Sequence, residues 1–156
     1  MATTLPSMTD VTHLFTMLFG HETTCKPRKV ILAPADGAIV ASYLDNDGAI
    51  KRLLTCDVAF ANSAGAALSA IPAGAANSAT KSGEVPDNIL DNLSEVMNVA
   101  VNLFIESFGG RLELGSVSRL KDLSPETQAA LASVQRVKLD VAIPRYDIGR
   151  VDLVAV

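Results

Sequence analysis

The stretch from Asp87 to Phe108 constrains the fold of this chain more than any other. Pro86 or Asp87 opens it, and proline's fixed φ suits a first helical turn. Gly109-Gly110 closes it, where glycine suits the left-handed cap. Between them Leu90, Leu93, Met97, Ala100 and Phe104 recur at three- and four-residue spacing, which predicts one long helix with a buried stripe. Opposite that stripe stand Asp91, Glu95, Asn98 and Asn102, at i, i+4, i+7 and i+11, so their side chains stack along one side.

This polar stripe differs from an ordinary solvated face, which mixes glutamate with lysine and arginine to form ion pairs one turn apart. No lysine or arginine occurs between Lys81 and Arg111. Asn98 and Asn102 occupy interior helical positions, where asparagine costs about 0.7 kcal/mol relative to alanine. From spacing alone the stripe is either a functional surface or the wet side of an amphipathic helix.

Around this helix the sequence reads as strands and shorter helices. Val11, Leu14, Phe15 and Leu18 follow a capping residue, Thr9 or Asp10, and predict an amphipathic helix ending at Gly20. Apolar runs from Val30 to Ala33, Ala38 to Leu44 and Ile50 to Thr55, separated by Asp36-Gly37 and Asp47-Gly48, predict three antiparallel strands. Asp57 caps an alanine-rich helix that runs to Ile71 and stops at Pro72; its small side chains favour close packing. The stretch from Ala73 to Val85 reads as a small-residue linker. Leu112 and Leu114 begin a strand, and Ser124-Pro125-Glu126 starts a short helix. Val137, Leu139, Val141 and Ile143 alternate as a strand should, before a hairpin returns through Ile148 to Val156.

This order lacks the regular strand–helix alternation of a parallel sheet. The expected fold is α+β, an α/β sandwich with a mainly antiparallel sheet and long helices on one face. With 156 residues and 49% hydrophobic content, residues 1–156 are expected to form a single domain.

Composition narrows the function. A formal net charge of −4 disfavours a phosphate-binding surface for nucleic acid or anionic membrane and suits a lysine-bearing partner. Cys25 and Cys56 form no CxxC pair, so no zinc site is expected and reduced cytoplasmic thiols are the simplest reading. The first twenty residues lack the basic region of a secretion signal and are too short an apolar run to span a bilayer.

Other chemistries find no support in the residues. His13 and His21 have no nearby set of acidic and thiol residues at ligand spacing, so a metal or catalytic role is not expected for either. Ser94 and Ser107 lack a nucleophile elbow. Gly65, Gly74 and Gly83 have no Walker lysine. Asp45-Asn46-Asp47-Gly48 suits a hairpin turn better than a calcium loop.

The run Asp91-x-x-x-Glu95-x-x-Asn98 resembles the D/S-x-x-x-E-x-x-N signature of the CheC/CheX/FliY chemotaxis phosphatases. The closing segment Ile143-Pro-Arg-Tyr-Asp-Ile-Gly-Arg-Val-Asp-Leu-Val is similar to that family's final hairpin, and the likeness extends from about Val30 onward. It implies an α/β sandwich and, as substrate, the aspartyl phosphate of a CheY-like receiver domain. Asn98 would orient the attacking water and Glu95 would pair with the partner's lysine. Asp91 would support the site, and Asn102 stands where the family often has glycine. No cofactor of its own is implied, since Mg2+ belongs to the receiver. Ala61 and Ala64 replace the Glu and Asn of a duplicate motif, so one site is expected. A homodimer is implied as well. The competing expectations are a non-catalytic receiver-binding or flagellar-switch-associated module and a structural dimerisation domain.

Overall fold

The computed structural model describes residues 5–156. Helix α1 (Met8–Phe19) is capped by Ser7, not by Thr9 or Asp10. The Ser7 hydroxyl accepts from the Asp10 amide at 3.1 Å, and the Asp10 carboxylate accepts from the Ser7 amide at 3.2 Å. Asp10 is therefore the reciprocal partner in a capping box. Gly20 closes the helix at φ 70°, as expected.

Six strands form one fully antiparallel sheet: β1 (Thr24–Pro27), β2 (Ile39–Leu44), β3 (Ile50–Cys56), β4 (Glu113–Arg119), β5 (Arg136–Ala142) and β6 (Gly149–Ala155), in the order β1-β5-β6-β3-β2-β4. The Asp45-Asn46-Asp47-Gly48 segment makes the β2–β3 turn, with the Asp45 carboxylate accepting from the Asp47 and Ala49 amides at 2.9 and 3.0 Å. Alternation along β2, β3 and β6 turns Ile39, Ala41, Tyr43, Leu54, Cys56, Val151 and Leu153 toward the helices.

On that face lie α1, α2 (Val58–Leu68) and α4 (Asp87–Phe108). Asp57 caps α2 by accepting from the Phe60 amide at 2.9 Å, and the same carboxylate accepts from the Arg150 amide and guanidinium. One residue thus sets the helix start and ties it to β6. Helix α2 ends three residues before the predicted Ile71. Ala70 takes φ 55°, while the Ile71 amide reaches the Ala66 carbonyl at 2.9 Å and the Ala70 amide reaches Ala67 at 3.3 Å. This is the Schellman arrangement, made by alanine where glycine is favoured.

The predicted linker after Pro72 is instead helix α3 (Ala73–Lys81). Its small residues bury little, with Ala76 the buried position, so no apolar periodicity marked it. It is held to α2 by Asn62, whose amide donates to the Thr80 hydroxyl at 3.2 Å and the Glu84 carbonyl at 2.7 Å.

A second correction concerns the first predicted strand. Residues from Val30 to Ala33 do not join the sheet, and β1 lies earlier, where only Cys25 is buried. The reason lies on the sheet's other face. Asp152 is fully buried in β6 and takes ion pairs from Arg28 and from Arg136, the latter at 3.1 Å. Its second oxygen also accepts from the Leu32 amide at 2.8 Å. The Leu32 amide is committed to a buried carboxylate instead of a ladder. The rest of that face is covered by α5 (Pro125–Ala130), which shelters Val40, Leu53, Leu123, Leu131 and Val154.

Removing the Asp152 carboxylate would leave two guanidinium groups desolvated together. Asp152→Ala is expected to destabilise the fold by about 3–5 kcal/mol in urea titration, well beyond a surface substitution. Ala70→Gly is expected to act in the opposite sense, raising stability by roughly 0.5–1 kcal/mol by relieving the left-handed alanine, read as a higher urea midpoint.

Candidate functional site

Helix α4 spans the predicted residues, from its cap at Pro86 to Gly109 at φ 76°. Leu93, Met97, Ala100 and Phe104 are buried as predicted, Leu90 is half-buried, and Ile89, Val96 and Leu103 widen the apolar face.

Three contacts fix the rotation of α4 about its own axis. A Cβ on Gly65 of α2 would lie 2.5 Å from the Ile89 carbonyl oxygen, so only glycine permits this helix–helix approach. The Asn92 side-chain amide donates to the Gly65 carbonyl at 3.0 Å. Tyr43 of β2 donates its hydroxyl to the Met97 carbonyl at 2.8 Å, with its ring 4.9 Å from that of Phe104. Burial, with a smaller contribution from Cys56, pushes the Tyr43 hydroxyl well above the ordinary phenol range, so it keeps the proton it donates.

Sequence reasoning missed these residues. Tyr43 was detectable in principle, because a tyrosine hydroxyl within a buried strand must find an acceptor. Asn92 carries no comparable signal, and Gly65 is covered only by the general expectation that the small side chains of α2 favour close packing.

With α4 held this way, Asp91, Glu95 and Asn98 point outward, and all three are exposed. Helical rise separates Glu95 from Asn98 by about 4.5 Å along the axis, and Asp91 lies one turn earlier. None of the three side chains has a hydrogen bond or ion pair to any of the described residues. Asn102 is exposed too, but its amide donates back to the Val99 carbonyl at 3.0 Å, and its side chain lines a cleft against α1. The structure therefore groups Asp91, Glu95 and Asn98 as an open surface and sets Asn102 at its border.

The arrangement offers a carboxylate acceptor beside a carboxamide that can both donate and accept. Ser94 and Ser107 spend their hydroxyls on the Leu90 and Leu103 carbonyls, each at 3.1 Å. Among the described residues no group of three or more His, Cys, Asp or Glu side chains is placed to hold a metal ion. Ala61 and Ala64 are fully buried in α2.

Comparison with solved structures gives the fold a place. A chain of the FliM–SpeE complex from H. pylori matches with a TM-score of 0.67 at 8% identity, over 95% of this chain and 80% of that one. Thermotoga maritima FliY matches at 0.56 and 15% identity, over 96% of this chain and 84% of that one. The fold is that of the CheC/CheX/FliY proteins. A chain of the CheX–CheY–BeF3–Mg2+ complex from Borrelia burgdorferi aligns at 0.48 and 10% identity, over 94% of each chain. No protein-family model matches the sequence, and no curated protein does. At these identities the likeness is one of backbone architecture. Among the described residues no helix is long and apolar enough to cross a membrane.

The Tyr43 hydroxyl is a direct tie between the sheet and the middle of α4. Tyr43→Phe keeps the ring packing and removes that bond, and is expected to cost about 1 kcal/mol in urea denaturation.

Proposed function

We propose that this protein accelerates hydrolysis of the aspartyl phosphate on a CheY-type receiver domain in chemotaxis or related two-component signalling. The observation that carries this reading is the exposed, unpartnered Glu95/Asn98 pair on a helix held rigidly to a CheC/CheX/FliY-like sheet.

In this reading Glu95 accepts a charge-assisted hydrogen bond from the receiver's lysine and sets the register of the complex. Asn98 enters the receiver's site and holds the attacking water. The water oxygen bonds to phosphorus as the bond from phosphorus to the aspartyl oxygen breaks, giving inorganic phosphate and a free carboxylate. The protein contributes no cofactor, and the Mg2+ ion that balances phosphoryl charge belongs to the receiver. Asp91 supports Glu95 from one turn away, while Asn102 borders the partner's approach. The protein acts in the cytoplasm as a single domain and pairs with a second copy, for which β4 offers an edge strand bonded to β2 on one side only.

The test follows the decay of phosphorylated receiver with and without the protein. Asn98→Ala should lower the acceleration by roughly a hundredfold, the scale set by losing the orientation of a reactant. Glu95→Ala should weaken docking by roughly ten- to a hundredfold, the scale of one charged hydrogen bond. Unchanged decay in the presence of wild-type protein would sink the phosphatase reading.

The likeness to a chain of the FliM–SpeE complex, whose TM-score of 0.67 exceeds that of FliY, favours a second reading as a non-catalytic, flagellar-switch-like module. Receiver binding without faster decay would select it.

A further inference from the structure

A cleft of about 400 Å³ separates α1 from the C-terminal half of α4. Leu5, Leu14 and Leu103 contribute its apolar lining, and Met17 stands beside them with 76% of its surface exposed, unusual for a large apolar side chain. Asp10 and Glu106 add two carboxylates and His13 an imidazole, and no lysine or arginine lines the cleft. The charge bias extends along both helices. Neither α1 nor α4 contains a lysine or arginine, whereas together they hold Asp10, Asp87, Asp91, Glu95 and Glu106. Among the described residues, Asp87 is the one acid of α4 with a cationic partner, Arg119 at 3.0 Å. Asn102 belongs both to the Asp91–Glu95–Asn98 stripe and to the lining of this cleft, so the two surfaces are continuous.

An apolar groove with acidic flanks is complementary to an amphipathic helix that presents an apolar anchor flanked by lysine or arginine. We propose that the α1–α4 cleft is a second docking site for the receiver that meets Glu95 and Asn98, taking an exposed receiver helix with an apolar side chain between basic residues. This rests on the reading of the α4 stripe as a receiver-docking surface. The stripe then carries the chemistry, and the cleft gives affinity and partner choice. Glu106 faces the incoming cations, and Met17 covers the apolar anchor.

The experiment measures binding of the receiver, activated by beryllofluoride and Mg2+ so that it is not turned over, to the full chain by calorimetry at two salt concentrations. The chain is tested as wild type, Glu95→Ala, Met17→Ser, Glu106→Gln and Glu106→Lys. Met17 and Glu106 are exposed, so circular dichroism and thermal melting should match wild type. Met17→Ser should raise Kd several-fold and Glu106→Lys at least tenfold. Glu106→Gln should flatten the salt dependence, a response that a merely structural change would not give. Weak binding by Glu95→Ala together with wild-type affinity in all three cleft variants would overturn the cleft while leaving the stripe intact. If wild-type protein binds no receiver, the stripe reading and the cleft proposal fall together. If Glu95→Ala binds as wild type and the cleft variants do not, docking occurs at the cleft without the stripe, which overturns the stripe reading and with it the cleft's place as a second site.

Discussion

The close approach of α2 and α4 at Gly65 governs what the helical face can display. With no side chain there, the Ile89 backbone comes within reach, and Asn92 bridges the remaining gap to the Gly65 carbonyl. Residues one and two turns further along α4 inherit their direction from that contact. A helix rotated by one position, about 100°, would turn Glu95 and Asn98 out of a common outward face. Tyr43 holds the same rotation from beneath, at Met97, immediately before Asn98. Two polar anchors with different origins, one from a neighbouring helix and one from the sheet, bracket Glu95 and end one residue short of Asn98. Such bracketing is what a site built on a helix needs, because the surrounding shell sets how far its side chains can wander.

The sheet's other face solves a different problem. A carboxylate at the centre of β6 is costly to desolvate unless several donors surround it. Arg28, Arg136 and the Leu32 amide supply them. The Arg136 guanidinium also reaches back to the Leu131 carbonyl, so the turn after α5 is held to the same cluster. Asp152 therefore organises the segment before β2 and the end of α5 together. A charged core residue is weak support for stability in itself, and its effect here is positional, keeping chain segments on this face of the sheet in fixed places.

How legible each part was depended on what kind of force built it. Helix α4, the β2–β3 hairpin and β5 were readable because their apolar periodicity, glycine turns and caps all agree. The candidate pair Glu95 and Asn98 was readable as a spacing and as a gap in positive charge. Three features were not. Strand β1 has almost no apolar content and forms through backbone pairing with β5 at the sheet's edge. Helix α3 has a composition of alanine, glycine, serine and asparagine that suits linker and helix alike, and tertiary bonds to Asn62 decide between them. The apolar run from Val30 to Ala33 met every local criterion for a strand, yet an aspartate some 120 residues later takes its backbone. Pattern reading reports local preference, and a buried ion cluster is a long-range term it cannot contain.

The same distinction bears on the exposed stripe. Its outward direction is set by burial, and its acidic character comes from composition, yet neither requires asparagine at positions 98 and 102. Solvation alone would be served as well by glutamate, lysine or glutamine, all better helix formers than asparagine. Asn102 returns its amide to the Val99 carbonyl and so recovers part of that cost within the helix. Asn98 has no such bond to any described residue, although it directly follows Met97, whose carbonyl accepts from Tyr43. An unfavourable residue placed next to a backbone carbonyl held from the sheet, with its amide left open, is what a water-positioning role would need, since a pre-oriented donor and acceptor lose little freedom when a partner closes over them.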